Sequence, residues 1–249
     1  MAHVAQLWRH PIKSHGREAL DAVTLTAGQT MPWDRHWAVT HAATHFVPGS
    51  WAACQNFMIS SRTPGLAGIW AELDEGAATL TLRHQDLGEL TFAPNNPLGV
   101  VAFLDWTLPL CPDNRARPVG LVTVPGRGMT DTEYPSVSVM NAASHNAVAI
   151  AAGHTLDAER WRGNIWLTGF DAWEELTWIG RTIAIGPVVL AIREPIVRCQ
   201  STAANPYSGQ RDVDTLGLLT DGWTHKNFGV YAEVVVGGMV RLGDSAKVN

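Results

Sequence analysis

A cysteine next to an arginine is the pair in this sequence with the most evident chemistry. Cys199 follows Arg198 after an apolar, strand-like run that contains Pro195 near its end. A neighbouring guanidinium favours the thiolate, which is both the stronger nucleophile and the better ligand for a soft metal. A lone cysteine at a strand end is nevertheless more often a small buried hydrophobe. The residues around Cys199 are needed to distinguish a functional thiol from a structural one.

The segment after this cysteine is a loop rich in turn-forming residues. It reads N-P-Y-S-G-Q-R-D over residues 205–212. Loops held by a rigid scaffold are where functional groups tend to lie. The loop therefore favours a functional interpretation of Cys199.

Further short motifs accompany this cysteine in a fixed order. The string R-W-R-G-N-I-W occupies residues 160–166, R-C-x-x-T begins at residue 198, N-F-G-V-Y-A occupies residues 227–232, and G-D occupies residues 243–244. Together with the loop over residues 205–212, this order and spacing resemble the MOSC family, named for the C-terminal domain of molybdenum cofactor sulfurase. The resemblance is strongest from Tyr134 to Val248.

The N-terminal half resembles the β-barrel domain that precedes MOSC in the amidoxime-reducing component family. Residues 11–14 read P-I-K-S and residues 33–37 read W-D-R-H-W, and the likeness is weaker from Val39 to Thr132. The resemblance implies a fold that is mainly β with a few helices (α+β). A MOSC β-barrel fold would follow a smaller N-terminal β-barrel domain.

The resemblance also implies a molybdenum–molybdopterin cofactor. Cys199 would be the metal ligand and the catalytic residue. Molybdopterin carries a phosphate and a polar pterin, which suit cationic and hydrogen-bonding side chains. The implied cofactor-binding residues are Lys13, Ser14, Arg35, Asn141, Ser144, Arg162, Asn164, Arg198 and Tyr231.

These residues also have purely structural interpretations. Lys13 and Arg35 could be solvated surface charges, and Asn164 could close a turn. Tyr231 could belong to the barrel core, and Asn141 could do no more than cap a helix. The test is geometric, since the cofactor interpretation requires distant residues to meet. We expect one cavity between the two domains to be faced by Lys13, Arg35, Arg162, Asn164 and Cys199.

The other two cysteines are expected to be passive. Neither Cys54 nor Cys111 is followed by a family motif. No pair of cysteines forms a C-x-x-C motif, and three cysteines are too few for a typical iron–sulfur cluster. Cysteines that are odd in number and far apart favour a reducing compartment over a disulfide framework.

Short strands separated by turn residues are predicted at both ends of the chain. Residues 79–83 alternate strictly between threonine or arginine and leucine, which is typical of a strand with one buried face. The glycines at 237 and 238 predict a tight hairpin between the last two strands. The predicted strands are His3–Trp8, Ala22–Leu25, Trp37–Thr40, Thr79–Arg83, Glu89–Phe92, Thr182–Ile185, Val188–Arg193, Val230–Val236 and Met239–Leu242.

One helix has clear boundaries in the sequence. Asn141 can cap its start and Gly153 can end it, which predicts a helix from Asn141 to Ala152 with Val148 and Ile150 on the buried side. A second short helix is predicted over Ala172–Leu176. The stretch Pro94–Arg127 shows little periodicity, so we place the domain boundary there. The predicted domains are residues 1–115 and residues 116–249.

Composition limits the classes of function. The 249 residues are 46% hydrophobic and carry a formal net charge of -5, which argues against a nucleic-acid surface. No apolar run approaches the roughly 20 residues that cross a bilayer, and the first residues lack the pattern of a secretion signal. We therefore expect a cytoplasmic location and no membrane partner.

The resemblance implies a molybdenum-dependent oxidoreductase that reduces small N-hydroxylated compounds of the amidoxime or hydroxylamine type. The chain ends at Asn249 without cluster cysteines, so electrons are expected from a separate flavin, haem or iron–sulfur protein. The alternative is a sulfur or cofactor carrier with a persulfide on Cys199. A bare sulfur carrier has no evident need for Lys13, Ser14 and the motif at residues 33–37, which favours the enzyme.

Overall fold

Strands, several of them with one apolar face, are the main regular elements of the computed structural model, which describes residues 1–249. In β6, Thr79–His84, Leu80 and Leu82 are fully buried while Thr79 and Thr81 are partly exposed. Such alternation places one face of a strand on a core. The other strands are β1 (His3–Arg9), β2 (Glu18–Leu20), β3 (Ala22–Leu25), β4 (Trp37–His41), β5 (Trp70–Asp74), β7 (Gly88–Phe92), β8 (Pro118–Thr123), β9 (Val137–Asn141), β10 (Ile165–Thr168), β11 (Thr182–Ile185), β12 (Val188–Val197), β13 (Asn227–Val236), β14 (Gly238–Arg241) and β15 (Ala246–Val248).

Eight of these strands form one large sheet. Their order is β15-β11-β12-β13-β9-β10-β1-β2, and only β9 and β10 run parallel to each other. A core of 20 buried residues, with Val139, Ile165, Leu190 and Val230 among them, packs on this sheet. The prediction of a mainly β fold with a few helices is confirmed.

Strands from the start of the chain join strands from its end. β1 pairs with β10, and β3 pairs with β14. Two small sheets, β4-β8 and β5-β6-β7, surround a second core of 13 buried residues. Because β8 follows residue 115 and pairs with β4, strand pairing also crosses the predicted domain boundary, which stays a prediction.

Three α-helices lie outside the sheets: α1 (Pro97–Thr107), α2 (Ala142–Ala152) and α3 (Thr215–Trp223). None is long and apolar enough to cross a membrane. α2 lies where the sequence predicts it. Asn141 caps its first turn, and Gly153 ends it in the left-handed region at φ 74°. Val148 is buried as expected, but Ile150 is 81% exposed, so the prediction that it faces the core is wrong.

Several elements differ from the sequence-based predictions. α1 and β8 lie in the stretch predicted to be irregular, and α3 is not predicted at all. α1 has exposed apolar residues, including Leu98 and Val101, so its sequence lacks the periodicity by which a helix is recognised. The short helix predicted from Ala172 is a 3-10 helix over Glu174–Trp178.

The final hairpin prediction is wrong. β14 does not fold back on β13 but pairs with β3, from Gly238 opposite Leu25 to Arg241 opposite Ala22. Gly237 lies against the carbonyl of Leu25, where an added Cβ would be 2.7 Å from that oxygen. Gly237 therefore serves a close approach to β3 rather than a tight turn, and Gly238 lies against Pro187.

The two asparagine caps give a matched stability test. Asn141 is fully buried, caps α2, and donates to the Asp171 carbonyl and the Glu175 carboxylate. Asn96 is exposed and only caps α1. We expect Asn141→Ala to lower the free energy of unfolding by about 2–4 kcal/mol and Asn96→Ala by about 1 kcal/mol, measured by urea denaturation. Equal losses would show that the Asp171 and Glu175 contacts contribute nothing.

Candidate functional site

A cavity of about 110 Å³ lies where the N-terminal strands meet the large sheet. Pairing of β1 with β10 brings the segment after β1 close to the segment before β10. The end of β12 closes another side. The lining residues are Lys13, Ser14, Arg35, Cys54, Ile59, Ser60, Ser61, Asp131, Ser138, Arg160, Trp161, Arg162, Ile196, Val197, Arg198, Cys199, Ser201, Thr202 and Tyr231.

Cys199 is exposed at this cavity, directly after β12. It precedes the 3-10 helix Gln200–Ala203, and its thiol donates to the hydroxyl of Ser201 at 3.3 Å. The hydroxyl of Thr202 donates to the carbonyl of Cys199 at 3.1 Å. The backbone is thus held while the sulfur stays accessible, as a ligand or a nucleophile requires.

The loop over residues 205–212 fastens the cysteine segment to the N-terminal half. Gly209, at φ 70°, packs so closely on Gly65 that an added Cβ would be 2.6 Å from the Gly65 Cα. The guanidinium of Arg211 donates to the carbonyl of Ser61 at 2.6 Å. The position of Cys199 therefore depends on both halves of the chain.

Five cationic side chains line the cavity against one carboxylate, that of Asp131. Three of the five form ion pairs: Lys13 with Asp131, Arg35 with Asp34, and Arg160 with Asp212. The other two, Arg162 and Arg198, donate to backbone carbonyls. The cavity is strongly positive although the whole chain is acidic.

Arg162 is the cation with the least compensation. Its guanidinium donates to the carbonyl of Gly16 at 3.1 Å, and its own carbonyl accepts from Arg35 at 2.9 Å. Burial, followed by repulsion from Arg35 and Arg17, lowers the pKa of Arg162 to about 9. An anion bound beside it would relieve this repulsion.

Arg198 has a similar setting. It donates to the carbonyls of Phe228 and Trp161, both at 2.8 Å, and lies 5.6 Å from the centre of each of their rings. Burial lowers the pKa of Arg198 to about 10. The side chain expected to activate the thiol is therefore also a partly buried cation of the cavity wall, without an ion-pair partner.

Three lining residues hold a left-handed backbone. The φ angles are 64° for Ser14 and 51° for both Arg35 and Arg162. Residues with a side chain pay roughly 1–3 kcal/mol for this conformation, so it persists only where surrounding contacts impose it. The amide of Arg35 donates to the His10 carbonyl at 2.6 Å, which is one such contact. Strained backbone of this kind is concentrated at functional sites.

A buried carboxylate supports Arg35 from behind. Asp34 pairs with the Arg35 guanidinium and accepts from the backbone amide of His10 at 2.8 Å. Although burial opposes ionisation, Arg35 holds the pKa of Asp34 below its usual range. Burial and the charge of Arg162 lower the pKa of His10 to about 3, so this ring is neutral.

Tyr231 and Asn164 lie together beside the cavity. Tyr231 lines it, whereas Asn164 lines a small adjoining pocket with Arg35 and Ser138. The side-chain oxygen of Asn164 accepts from the Ser138 hydroxyl at 2.7 Å, and its amide donates to the Trp8 carbonyl at 3.2 Å. Asn164 thus joins β1, β9 and β10. Burial, followed by the charge of Asp131, raises the pKa of Tyr231.

Asn141 and Ser144 do not lie at the cavity. The Ser144 hydroxyl donates to the Glu175 carboxylate at 2.8 Å and accepts from the amide of Trp173 at 2.7 Å. Asn141 donates to the same carboxylate. The structure places these two residues in a buried hydrogen-bond network outside the cavity, and their assignment as cofactor-binding residues stays a prediction. The helix-cap interpretation describes Asn141.

Of the five residues expected to face one cavity, Lys13, Arg35, Arg162 and Cys199 do so, and Asn164 lies behind its wall. Sequence reasoning missed Cys54, Asp131 and the pair of serines at 60 and 61. These residues sit in irregular segments, and no motif signalled them. The structure contains no group of three or more His, Cys, Asp or Glu side chains arranged to hold a metal ion.

Comparison of the sequence with models of known protein families identifies the family of this chain. The MOSC domain matches residues 130–247, and the MOSC N-terminal beta barrel domain matches residues 1–106. The chain therefore belongs to the MOSC family, in the form that carries the N-terminal β-barrel domain, and the resemblance found in the sequence is confirmed. The family is linked to the molybdenum cofactor.

Solved structures agree with this fold. The chain is similar over 100% of its length to the YuaD protein from Bacillus subtilis, with 96% of that chain covered, a TM-score of 0.52 and 14% identity. YiiM from Geobacillus stearothermophilus aligns with 45% of this chain and 53% of its own, at a TM-score of 0.36 and 17% identity. At such low sequence identity, a structural likeness supports the fold alone. YuaD supports the fold in this way, whereas the TM-score of YiiM is too low to do so. No curated protein matches the chain in sequence.

The buried histidines behind the cavity predict a loss of stability in mild acid. Burial lowers the pKa of His10 to about 3 and that of His15 to about 4. In the unfolded chain both rings bind protons below about pH 6.5, so stability present above that pH is lost as the pH falls. Between pH 7 and pH 5, urea denaturation should show a decrease of about 2 kcal/mol for each histidine. A free energy of unfolding that stays constant would contradict the neutral burial of these rings.

Proposed function

We propose that the cavity binds a molybdenum–molybdopterin cofactor through Cys199, and that the protein reduces N-hydroxylated compounds. The observation that carries the proposal is the meeting of an accessible thiol with two partly buried guanidinium groups that form no ion pair with a carboxylate. A thiolate suits a soft metal, and the cations suit an anionic group. The donor set therefore fits the cofactor.

Two groups of residues would hold the cofactor. Lys13, Ser14, Arg35 and Arg162 form the cationic, hydrogen-bonding end of the cavity, which suits a phosphate and polar ring atoms. Arg198 and Tyr231 lie on the wall with Cys199. Asn164 acts from behind, by fixing the strands that carry Arg162 and Ser138.

The chain's own residues would bind the cofactor, keep it oriented and leave an open mouth for a small substrate. The bound molybdenum would supply the two-electron redox chemistry. The protonated phenol of Tyr231 could donate a hydrogen bond into the cavity. The three cysteines include no cluster set, so we propose that a separate flavin, haem or iron–sulfur protein supplies the electrons. The proposed compartment is the cytoplasm, where Cys199 would stay reduced.

The carrier alternative uses the same thiol. A persulfide on Cys199 would need an accessible sulfur, which the protein has. It would not need Arg162 partly buried without a carboxylate partner, because one neighbouring cation is enough to favour a sulfur anion and Arg198 already supplies it. The charge of the cavity therefore favours the cofactor enzyme.

Replacing Cys199 by serine tests the proposed ligand. Serine keeps the shape of the side chain but offers a protonated hydroxyl, which is a poor ligand for molybdenum. In protein made by a host that produces the cofactor, we expect Cys199→Ser to abolish reduction of an N-hydroxylated substrate by reduced viologen. The matched control is Cys111→Ser, because Cys111 is buried in the second core. Near-normal turnover in Cys199→Ser would refute the assignment of Cys199 as the metal ligand. Wild-type protein that contains neither molybdenum nor pterin would favour the carrier function.

Replacing Arg162 by alanine tests the cationic end of the cavity. The variant loses a charge-assisted contact worth roughly 1.5–3 kcal/mol, so retention of the pterin should weaken roughly 10- to 100-fold. Pterin content after gel filtration measures this, together with a melting curve that should remain cooperative. Arg83→Ala is the control, since Arg83 is an exposed arginine in surface ion pairs. If Arg162→Ala retained the pterin in full, Arg162 would not be a cofactor-binding residue.

A further inference from the structure

Two cysteines face the cavity from the two halves of the chain. Cys54 begins the 3-10 turn Cys54–Asn56 in the segment after β4, and Cys199 follows β12. Both side chains line the cavity and both residues are exposed. The expectation that Cys54 is as passive as Cys111 therefore does not fit its position.

The two thiols border the same cavity. Partial burial raises the pKa of Cys54, and the charges of Asp131 and Cys199 contribute to the shift. Cys111 differs in position, because it is buried in the second core, away from the cavity, and its thiol donates to the Thr107 carbonyl at 3.7 Å. The cavity thus contains a pair of thiols, and the third cysteine is isolated from it.

Cys54 follows an irregular segment rather than a strand paired within a sheet. Residues 42–53 contain turns and bends but no strand or helix. A disulfide requires Cα atoms about 4.4–6.8 Å apart and a restricted torsion about the sulfur–sulfur bond. An irregular loop can meet these conditions with smaller changes than a strand paired within a sheet.

We propose that Cys54 and Cys199 form a reversible disulfide across the cavity when hydrogen peroxide reaches it, and that this bond withholds the Cys199 sulfur from a metal. Peroxide oxidises one thiolate to a sulfenic acid, with cleavage of the O–O bond and release of water after protonation. The second thiol attacks the sulfenic sulfur, an S–S bond forms and a second water leaves. Two thiols and one peroxide thus give one disulfide and two waters.

The reverse step needs a dithiol reductant. Its thiolate attacks one sulfur of the bridge, and a second attack from the same reductant releases both protein thiols. Formation of the disulfide does not depend on the proposed function. Only its consequence for metal binding rests on the assignment of Cys199 as the ligand.

Peroxide treatment of the full-length protein tests the disulfide. After denaturation and alkylation with N-ethylmaleimide, we expect only Cys111 to carry the label. The intact mass before alkylation should be lower by two hydrogen atoms, and a proteolytic digest should contain a peptide that joins Cys54 to Cys199. Dithiothreitol should restore all three labels.

Cysteine variants supply the controls. Cys111→Ser should form the bridge as readily as wild type. Cys54→Ser should form none, and its Cys199 should instead gain oxygen as the sulfinic and sulfonic acids. The proposal is overturned if wild-type Cys199 proceeds to these acids while Cys54 remains alkylatable, or if the bridges form only between molecules.

Cofactor loading separates the disulfide from its proposed consequence. A preparation loaded with molybdenum should form the bridge at least tenfold more slowly than a cofactor-free one, because Cys199 is then engaged. A cofactor-free sample oxidised first should take up cofactor only after reduction. Equal rates of disulfide formation in both preparations would contradict the role of Cys199 as the metal ligand, but not the disulfide itself. Absence of the disulfide from the oxidised cofactor-free protein would overturn the disulfide alone.

Discussion

Two partly buried guanidinium groups without carboxylate partners impose the constraint on which the rest of the site depends. Arg162 and Arg198 are held by backbone carbonyls, whose partial charges orient a cation but do not neutralise it. Burying such charges, even in part, costs free energy, and the binding of an anion beside them would offset that cost. Arg35 and its partner Asp34 add a fixed, strained support beside them. The fold therefore maintains a positive cavity within an acidic chain.

The cavity exists because the two halves of the chain are joined by strand pairing. β1 joins the large sheet through β10, and Asn164 ties both strands to β9. The loop after Cys199 packs against the N-terminal half through Gly209. The thiol and the cations thus come from separate parts of the chain, so the geometry of the site is coupled to the stability of the whole fold.

The sequence predicted those features that depend on local order. Strict alternation marked β6, and an asparagine and a glycine marked the ends of α2, because periodicity and capping are local properties. α1 was not predictable in the same way, since its exposed apolar residues hide its periodicity. The prediction of the final hairpin failed because β14 pairs with β3, which lies more than 200 residues earlier in the chain. Turn signals depend on neighbouring residues and contain no information about so distant a partner.

The same distinction applies to the site. Motif resemblance identified Lys13, Arg35, Arg162 and Cys199, which the fold brings to one cavity, whereas the approach of Cys54 and Asp131 results from tertiary packing of irregular segments. The most direct measurement is anomalous diffraction at the molybdenum edge from crystals of protein made in a cofactor-producing host. The account predicts one strong peak at bonding distance from the Cys199 sulfur. A molybdenum peak elsewhere, or crystals of active protein without one, would contradict it.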